Sequence, residues 1–155
     1  MPRLLFEKKG NSIWISHLDL MRLFQRAFKR AGLALKHTQG YNPKPSVSIA
    51  LPLSVGIASG CELLDFDLDS DFNQWEKLPE LLNPVLVEGI RVHIAYLDGK
   101  KIRDLAFMRS LIVLEYDNGV PDNAADKISD LLTMPEVKVI KKTKSGPQEQ
   151  DIIPM

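Results

Sequence analysis

The sequence predicts an α+β fold, a ferredoxin-like βαββαβ sandwich followed by a partial second β-α-β unit. Three observations predict it. Stretches of alternating apolar residues flank stretches with helical spacing, one stretch near the start is strongly amphipathic, and the strand-helix-strand pattern begins again after residue 104. We expect a ferredoxin-like domain over residues 1–99 and an incomplete second unit over residues 104–155. A chain of 155 residues is long enough for one ordinary domain or two very small ones.

The first predicted element is a short β-hairpin. Residues 3–7 and 12–15 have strand character, and Gly10-Asn11 between them favours a tight turn. We count this hairpin as the first β element of the pattern.

A helix from His17 to Ala31 follows. Ser16 is predicted to cap its start, with Asp19 three residues later as in a capping box. The apolar residues keep the spacing of one buried stripe, namely Leu20, Phe24, Ala27, Phe28 and Ala31. Gly32 is predicted to end the helix in the left-handed conformation, with Leu33 packing back on Phe28.

A second hairpin, a helix and a strand complete the first predicted domain. Residues 47–53 and 64–68 alternate in polarity, which is typical of a hairpin with one solvated face. Asp65, Asp67 and Asp69 share that face. Such carboxylates can hold Mg²⁺ or Ca²⁺, but a solvated strand face is the favoured interpretation. We predict a helix over residues 71–82 and a strand over residues 89–97.

The remaining residues repeat part of this order. We predict a strand over residues 111–116, a helix over residues 122–133 and a strand over residues 137–140. A second unit of the same type needs three further elements. Either these residues pack on the first domain as an extension, or the sequence is a piece of a longer chain.

Composition excludes several classes of protein. Hydrophobic residues make up 45% and charged residues 26%, as in globular proteins. No apolar run reaches the roughly 18 residues of a spanning helix, and the start lacks the apolar core of a signal peptide. We therefore expect a cytoplasmic protein with no membrane partner.

The sequence also lacks the residues from which common cofactor sites are built. The single cysteine, Cys61, cannot form an internal disulfide or hold an iron–sulfur cluster. The sequence contains no phosphate-binding or dinucleotide-binding glycine motif, and its three histidines have no paired metal spacing. We expect no cofactor and no metal site.

The charges are segregated along the chain although they sum to zero. Residues 1–48 hold nine Lys or Arg and two Asp or Glu, a net charge of +7. Residues 49–90 hold one Lys and eight Asp or Glu, a net charge of −7, and the remaining residues hold ten of each sign. A polyanionic partner is therefore possible, because a local field depends on where the charges lie.

The first helix carries a basic face beside its apolar stripe. Arg22, Arg26, Lys29 and Arg30 lie within about 100° of one another on a helical wheel. This arrangement suits phosphate groups of RNA. The alternative is an ordinary solvated face of an amphipathic helix.

The segment from His37 to Pro45 is a candidate RNA-binding loop. Tyr41 can stack on a base, Gln39 and Asn42 can hydrogen-bond a base edge, and Lys44 can hold phosphate. The alternative is a structured proline turn whose tyrosine packs inward.

His17 in the first turn of the helix is a candidate catalytic acid or base, or a ligand. A purely structural role is the alternative, since the sequence offers no second histidine nearby.

Several longer motifs resemble a bacterial family, the radical-SAM-linked family of unknown function. The resemblance is carried by residues 16–22, 26–33, 39–45 and 51–56, and by Ser59 and Glu62. The family pattern has Ser-His-Leu-Asp before a basic helix and Gln-Gly-Phe-Asn-Pro after it. Tyr41 stands where the family usually has Phe, and Lys44 where His is common. Because family members occur beside or fused to a radical SAM protein, the resemblance implies such a partner and implies no reaction for this chain.

Our leading interpretation is an accessory RNA-binding module that presents tRNA or rRNA to a partner radical SAM enzyme. It assigns no reaction to the chain on its own. Phosphate is held by the four basic residues of the helix and Lys44, a base is contacted by Tyr41 and Gln39, and His17 and Asp19 fix the helix start. Two alternatives stay open: a small ribonuclease or transferase that uses His17, and a protein–protein adaptor whose basic face binds an acidic partner.

Overall fold

The chain folds as a mixed α and β protein with two compact units, Met1–Met108 and Arg109–Met155, which we describe separately. The computed structural model describes residues 1–69, 71–97, 100–106, 109, 111, 113–143 and 145–152, with Arg103 described by its backbone alone. Within these residues, none of the helices combines the length and the apolar character that crossing a bilayer requires.

The first unit is built on a four-stranded antiparallel sheet. Its strands are β1 (Pro2–Lys8), β2 (Val47–Ile49), β3 (Ser59–Phe66) and β4 (Ile90–Leu97), in the spatial order β2-β3-β1-β4. Helix α1 (His17–Arg30) connects β1 to β2, and helix α2 (Leu78–Leu82) lies between β3 and β4.

The core of this unit lies between one face of the sheet and α1. Alternate residues of β1 and β3 point the same way and are fully buried. Phe6 of β1 meets Phe24 of α1 edge to face, with ring centroids 4.8 Å apart. Phe28 of α1 packs against Phe66 of β3 at the same distance. These aromatic pairs fix α1 across the two central strands.

The structure confirms the predicted start of α1 and the turn at Gly32, but the helix ends at Arg30, one residue earlier than predicted, and Ala31 of the predicted stripe is half-buried. The Ser16 hydroxyl accepts a hydrogen bond from the backbone N–H of Asp19. Leu20, Phe24, Ala27 and Phe28 are buried. At the end Gly32 has φ +75°, and the N–H of Leu33 donates to the carbonyl of Phe28, as in a Schellman motif.

The predicted opening hairpin is wrong. Residues Gly10–Trp14 form a 3₁₀ turn and not a second strand. The turn is held by long-range contacts: the Lys9 N–H donates to the Gly89 carbonyl, and the Ser12 hydroxyl donates to the Glu88 carbonyl. These bonds to the segment before β4 replace the strand pairing that the local sequence suggested.

Two elements of the first unit are shorter than predicted. β2 ends at Ile49, because Leu51 takes φ +45° and Pro52 has no N–H for a ladder. The predicted helix over residues 71–82 is reduced to a 3₁₀ turn, Trp75–Lys77, and α2. Pro79 lies in the first turn of α2, where a missing N–H costs nothing.

The predicted solvated face of aspartates is wrong for Asp65. Its carboxylate is buried and pairs with the guanidinium of Arg3 on the neighbouring strand, with 2.5 Å between Nε and Oδ1. Asp67 is half-buried and Asp69 is exposed. The three side chains therefore do not form one acidic docking surface.

The second unit contains helix α3 (Ala124–Thr133) and an antiparallel pair of strands, β5 (Lys138–Thr143) and β6 (Gly146–Asp151). The predicted helix is present. The predicted strand over residues 137–140 is longer than expected and forms a hairpin. The described residues of the predicted strand 111–116 form no strand, and Ile112 lies outside the described residues. The predicted domain limits, residues 1–99 and 104–155, stay a prediction.

Candidate functional site: a small chamber and two grooves along one helix

A small, partly enclosed chamber lies at the start of α1. Its polar lining comes from Lys8, His17 and Glu62, and its apolar lining from Leu20, Ile49, Pro52 and Leu53. It leaves about 10 Å³ for the centre of a water molecule. Three ionisable side chains that share so small a space are uncommon in a protein interior, because burying a charge is costly unless it is paired.

Lys8 enters the chamber because of the strand period. It is the last residue of β1 and shares the inward face with Leu4 and Phe6, so its side chain is only 1% exposed. The ammonium donates to the carbonyl of Ile13 at 3.0 Å and to that of Ile15 at 2.9 Å. The 3₁₀ turn after β1 therefore wraps around this amine and satisfies two of its three hydrogens.

Glu62 enters from the neighbouring strand by the same rule. It lies opposite Phe6 in the β1–β3 ladder and shares the inward face of β3 with Leu64 and Phe66. The residue is 8% exposed. Burial raises the pKa of the Glu62 carboxyl, while a hydrogen bond from Ser59 and the charge of Lys8 act in the opposite direction.

His17 is the third polar group of the chamber. Its Nδ1 is buried and has no hydrogen-bond partner, the single such side-chain nitrogen or oxygen in the part of the chain that the structure describes. The ring as a whole is half-buried. Nε2 also makes no hydrogen bond to the described residues and is not buried, so this nitrogen reaches solvent.

Lys8 and Glu62 were not among the predicted site residues. The signal was present in the sequence, since each extends the buried alternation of its strand by one step. A charged residue in an inward register is the pattern that marks a buried polar site.

The basic face of α1 is divided between two grooves. Arg22, Arg26 and Arg30 line one groove, together with Asp19 and the apolar residues Ile15, Leu23, Val85 and Val87. This groove has a volume of about 530 Å³. Lys29 does not belong to it, so the predicted stripe of four cations is a row of three arginines with one lysine on the other side.

Only one of these cations is ion-paired. Arg22 contacts Asp19 at 3.0 Å, one turn earlier on the helix. Arg26, Lys29 and Arg30 make no ion pair with any described residue, although the charge of Arg26 also acts on the Asp19 carboxyl. Hydrogen bonds from the Ser16 hydroxyl and from Arg22 lower the pKa of the Asp19 carboxyl. Asp19 is thus occupied at the helix start, and two arginines are available to an outside anion.

Lys29 lines the second groove, which lies between α1 and the segment after it. The other lining residues are Gln25, Leu33, Ala34, Leu35, His37 and Pro45. The groove has a volume of about 340 Å³, and its walls are mostly apolar.

The loop beyond this groove projects its tyrosine into solvent. The Thr38 N–H donates to the Lys44 carbonyl, and the Lys44 N–H donates to the Thr38 hydroxyl. These bonds close residues 39–43 into an exposed tip, where Tyr41 is fully exposed and Gln39 and Asn42 are exposed. The alternative in which the tyrosine packs inward is therefore wrong.

Among the described residues, no group of three His, Cys, Asp or Glu side chains is arranged to hold a metal ion.

Comparison with known proteins gives a family and no closer relative. No curated protein and no solved structure matches the chain. One family model matches residues 2–155, nearly the whole sequence, and the chain therefore belongs to the bacterial family described as "Uncharacterized protein conserved in bacteria (DUF2344)".

Proposed function

We propose that the chain is an accessory RNA-binding module that presents tRNA or rRNA to a partner radical SAM enzyme. The observation that carries the proposal is the row of three arginines along one groove of α1, two of them without an ion-pair partner among the described residues. Contact with a phosphate backbone needs several cations along one line, and two of these three are free of ion pairs to described residues.

The spacing of the row supports contact with a nucleic-acid strand. Arg22, Arg26 and Arg30 are four residues apart, so successive arginines are displaced by about 6 Å along the helix axis. Each guanidinium can donate two hydrogen bonds to one phosphate. The groove thus suits several successive phosphates of a nucleic-acid strand better than one isolated phosphate.

The second groove and the loop tip support contact with unpaired bases. Leu33, Leu35 and Pro45 give apolar walls, Gln25 offers an amide that can hydrogen-bond a base edge, and Lys29 adds a cation. Tyr41 at the tip has both ring faces open for stacking. Single-stranded or looped regions of a folded RNA fit these features better than a regular duplex does.

We also infer that the first unit is a ferredoxin-like domain. Its elements follow the order β-α-β-β-α-β, and its strands lie in the order β4-β1-β3-β2 with every neighbouring pair antiparallel. In this arrangement α1 covers one face of the sheet and offers its outer surface to RNA.

The radical SAM partner in the proposal comes from the family resemblance of residues 16–56 and from the count of cysteines. A four-iron cluster of that class needs several cysteine ligands, and this sequence has one. In the proposal the partner therefore supplies the cluster, and this chain supplies the contact with RNA.

Binding of purified bacterial tRNA and rRNA fragments, measured by fluorescence anisotropy, tests the proposal. The double variant Arg26→Ala/Arg30→Ala should bind more weakly across all RNA sequences, since phosphate contacts carry no sequence information. Lys77→Ala/Arg91→Ala is the matched control, because both residues are exposed on the same unit and outside the grooves. If the folded wild-type protein binds no RNA at low salt, the proposal is wrong and the adaptor becomes the leading alternative.

A second candidate function, an enzyme that uses His17, is favoured by one specific observation. Glu62 and Lys8 share the chamber of His17, so the imidazole has two further ionisable groups beside it. RNA incubated with the wild-type protein would then be cleaved or modified, and His17→Asn and Glu62→Gln would lose this activity. His93→Asn is the control, since His93 lies on the opposite face of the sheet beside Glu7.

A further inference from the structure

The chamber at the start of α1 carries an inference that does not depend on RNA binding. We infer that one water molecule occupies the space between Lys8, His17 and Glu62 and hydrogen-bonds all three side chains. The site is thus a water-binding site that couples two strands and the first turn of α1.

Each of the three polar side chains has at least one hydrogen-bond donor or acceptor position that the described residues do not fill. The Lys8 ammonium has three hydrogens and gives two of them to the carbonyls of Ile13 and Ile15. Nδ1 of His17 is buried without a protein partner. The Glu62 carboxyl is nearly buried and has more acceptor positions than Ser59 can fill. A water molecule that accepts from Lys8 and donates to Glu62 and to Nδ1 meets these three needs at once.

The volume and the walls fit a single water. The chamber leaves about 10 Å³ for the centre of a water molecule, close to the minimum that one buried water needs. Leu20, Ile49, Pro52 and Leu53 complete the lining and offer no side-chain hydrogen bond. Buried waters usually make about three hydrogen bonds, which is the number of polar side chains present.

A bound cation is a poorer occupant than water. The chamber supplies one carboxyl and one imidazole, fewer than the three protein ligands of a typical catalytic zinc site. Lys8 lines the same space, and its positive charge disfavours a second cation there.

The bridge assigns the position of a hydrogen on the His17 ring. If the water donates to Nδ1, the remaining proton lies on Nε2, the nitrogen that reaches solvent. His17 then presents a hydrogen-bond donor at the surface, two residues before Asp19 at the end of the arginine groove. The chamber thereby orients the imidazole and sets its tautomer, the task of a supporting group behind a functional histidine.

Neutron diffraction on crystals of the full chain tests the inference, because it locates hydrogen atoms. The expected result is one water within about 3.2 Å of Lys8 Nζ, His17 Nδ1 and a Glu62 oxygen, with the His17 hydrogen on Nε2. A direct hydrogen bond between His17 and Glu62, a dry chamber, or a metal ion in the chamber would each overturn the inference.

Two variants and one solution measurement extend the test. Glu62→Gln keeps an acceptor and should keep the water, whereas Glu62→Leu removes the acceptor and should lose it. In solution, cross-relaxation between a long-lived water and the amide hydrogens around the chamber should be visible in the wild-type protein and in Glu62→Gln. The same signal in Glu62→Leu would contradict the assignment. Should Glu62→Leu fail to fold, the wild-type and Glu62→Gln results still decide the question.

Discussion

Arg3 and Asp65 form a buried ion pair between the two central strands of the sheet, β1 and β3. Nε of Arg3 donates to Oδ1 of Asp65 at 2.5 Å and Nη2 donates to Oδ2 at 3.1 Å, so the contact is bidentate. Nη2 also donates to the carbonyl of Lys100 at 2.9 Å. The two residues are directly opposite in the ladder, and their side chains are at most 5% exposed.

Removing one partner of this pair should be strongly destabilising. Asp65→Ala removes a bidentate carboxylate partner from the buried Arg3 guanidinium, and breaking such a buried pair typically costs about 3–5 kcal/mol of the free energy of unfolding. Chemical denaturation followed by circular dichroism measures the change. Asp69→Ala, an exposed aspartate just beyond the same strand, is the control and should change stability by about 0.5 kcal/mol or less. Equal effects of the two substitutions would show that the pair contributes nothing.

This ion pair also shows where the sequence-based reasoning failed. Alternation of apolar and acidic residues predicted a strand over residues 64–68, which overlaps only the end of β3, and it predicted a solvated face for the acids. The assignment was wrong at Asp65 because a basic residue, Arg3, lies opposite it on β1, 62 positions earlier in the chain. The residues of one strand do not show which residue lies opposite on a distant strand, because the register between distant strands is set by the whole sheet.

Helix α1 could be predicted in detail because its signals are local. The cap, the apolar stripe and the left-handed Gly32 all act within four or five residues. The 3₁₀ turn after β1 could not be predicted, since its bonds go to Glu88 and Gly89. The chamber was not predicted: His17 was singled out as a candidate, but only the folded sheet brings Lys8 and Glu62 to it.

Gly89 should be much less tolerant of substitution than the other left-handed glycines. It has φ +84°, and an added Cβ would lie 2.2 Å from the carbonyl oxygen of Lys9. Gly89→Ala would therefore disturb the bonds that hold the 3₁₀ turn and should cost about 4 kcal/mol, an exceptional loss for one substitution.

Gly32→Ala is the matched control for Gly89→Ala. Gly32 has φ +75°, but an added Cβ would meet no atom within 4 Å. Only the backbone strain of about 1–2 kcal/mol then applies. Thermal and chemical denaturation of both variants separate strain from steric overlap. A Gly89→Ala protein no less stable than Gly32→Ala would contradict the close approach of residue 89 to Lys9.

Glu62 should make stability fall as pH rises through the weakly acidic range. Its pKa is raised above the ordinary value of 4.5 chiefly by burial, so the fold favours the protonated carboxyl. Below about 4.5 the carboxyl is protonated in both states and the effect vanishes. As pH rises above this value the unfolded chain loses the proton first, and the native state loses relative stability.

Comparison with Glu62→Gln isolates this contribution to pH dependence. The amide cannot ionise, so the free energy of unfolding of the wild-type protein should fall relative to that of Glu62→Gln as pH increases from about 4.5 to neutrality. Denaturant titrations at several pH values measure the difference, and Glu76→Gln, at an exposed position, is the control. A difference that stays constant or moves the other way would show that the native state does not favour protonated Glu62.

RNA binding by the basic residues of α1 and of the loop after it should depend steeply on salt. Four or five phosphate contacts, from Arg22, Arg26, Lys29, Arg30 and Lys44, predict a slope of about −3 for the logarithm of affinity against the logarithm of salt concentration with single strands. Arg26→Ala/Arg30→Ala removes two of the contacts and should reduce the magnitude of the slope by about 1.4. Filter binding from about 50 to about 300 mM salt covers the range in which such a slope is measurable.

The control for the salt series is the double variant Lys77→Ala/Arg91→Ala, which should keep the wild-type slope. The free energy of unfolding of Arg26→Ala/Arg30→Ala is measured in parallel. It should stay close to the wild-type value, because surface charges contribute little to folding. Weak binding with an unchanged slope would mean that the two arginines do not release counterions from phosphate. An unfolded double variant would show instead that Arg26 and Arg30 are structural, and the groove would lose its assignment as an RNA-binding surface.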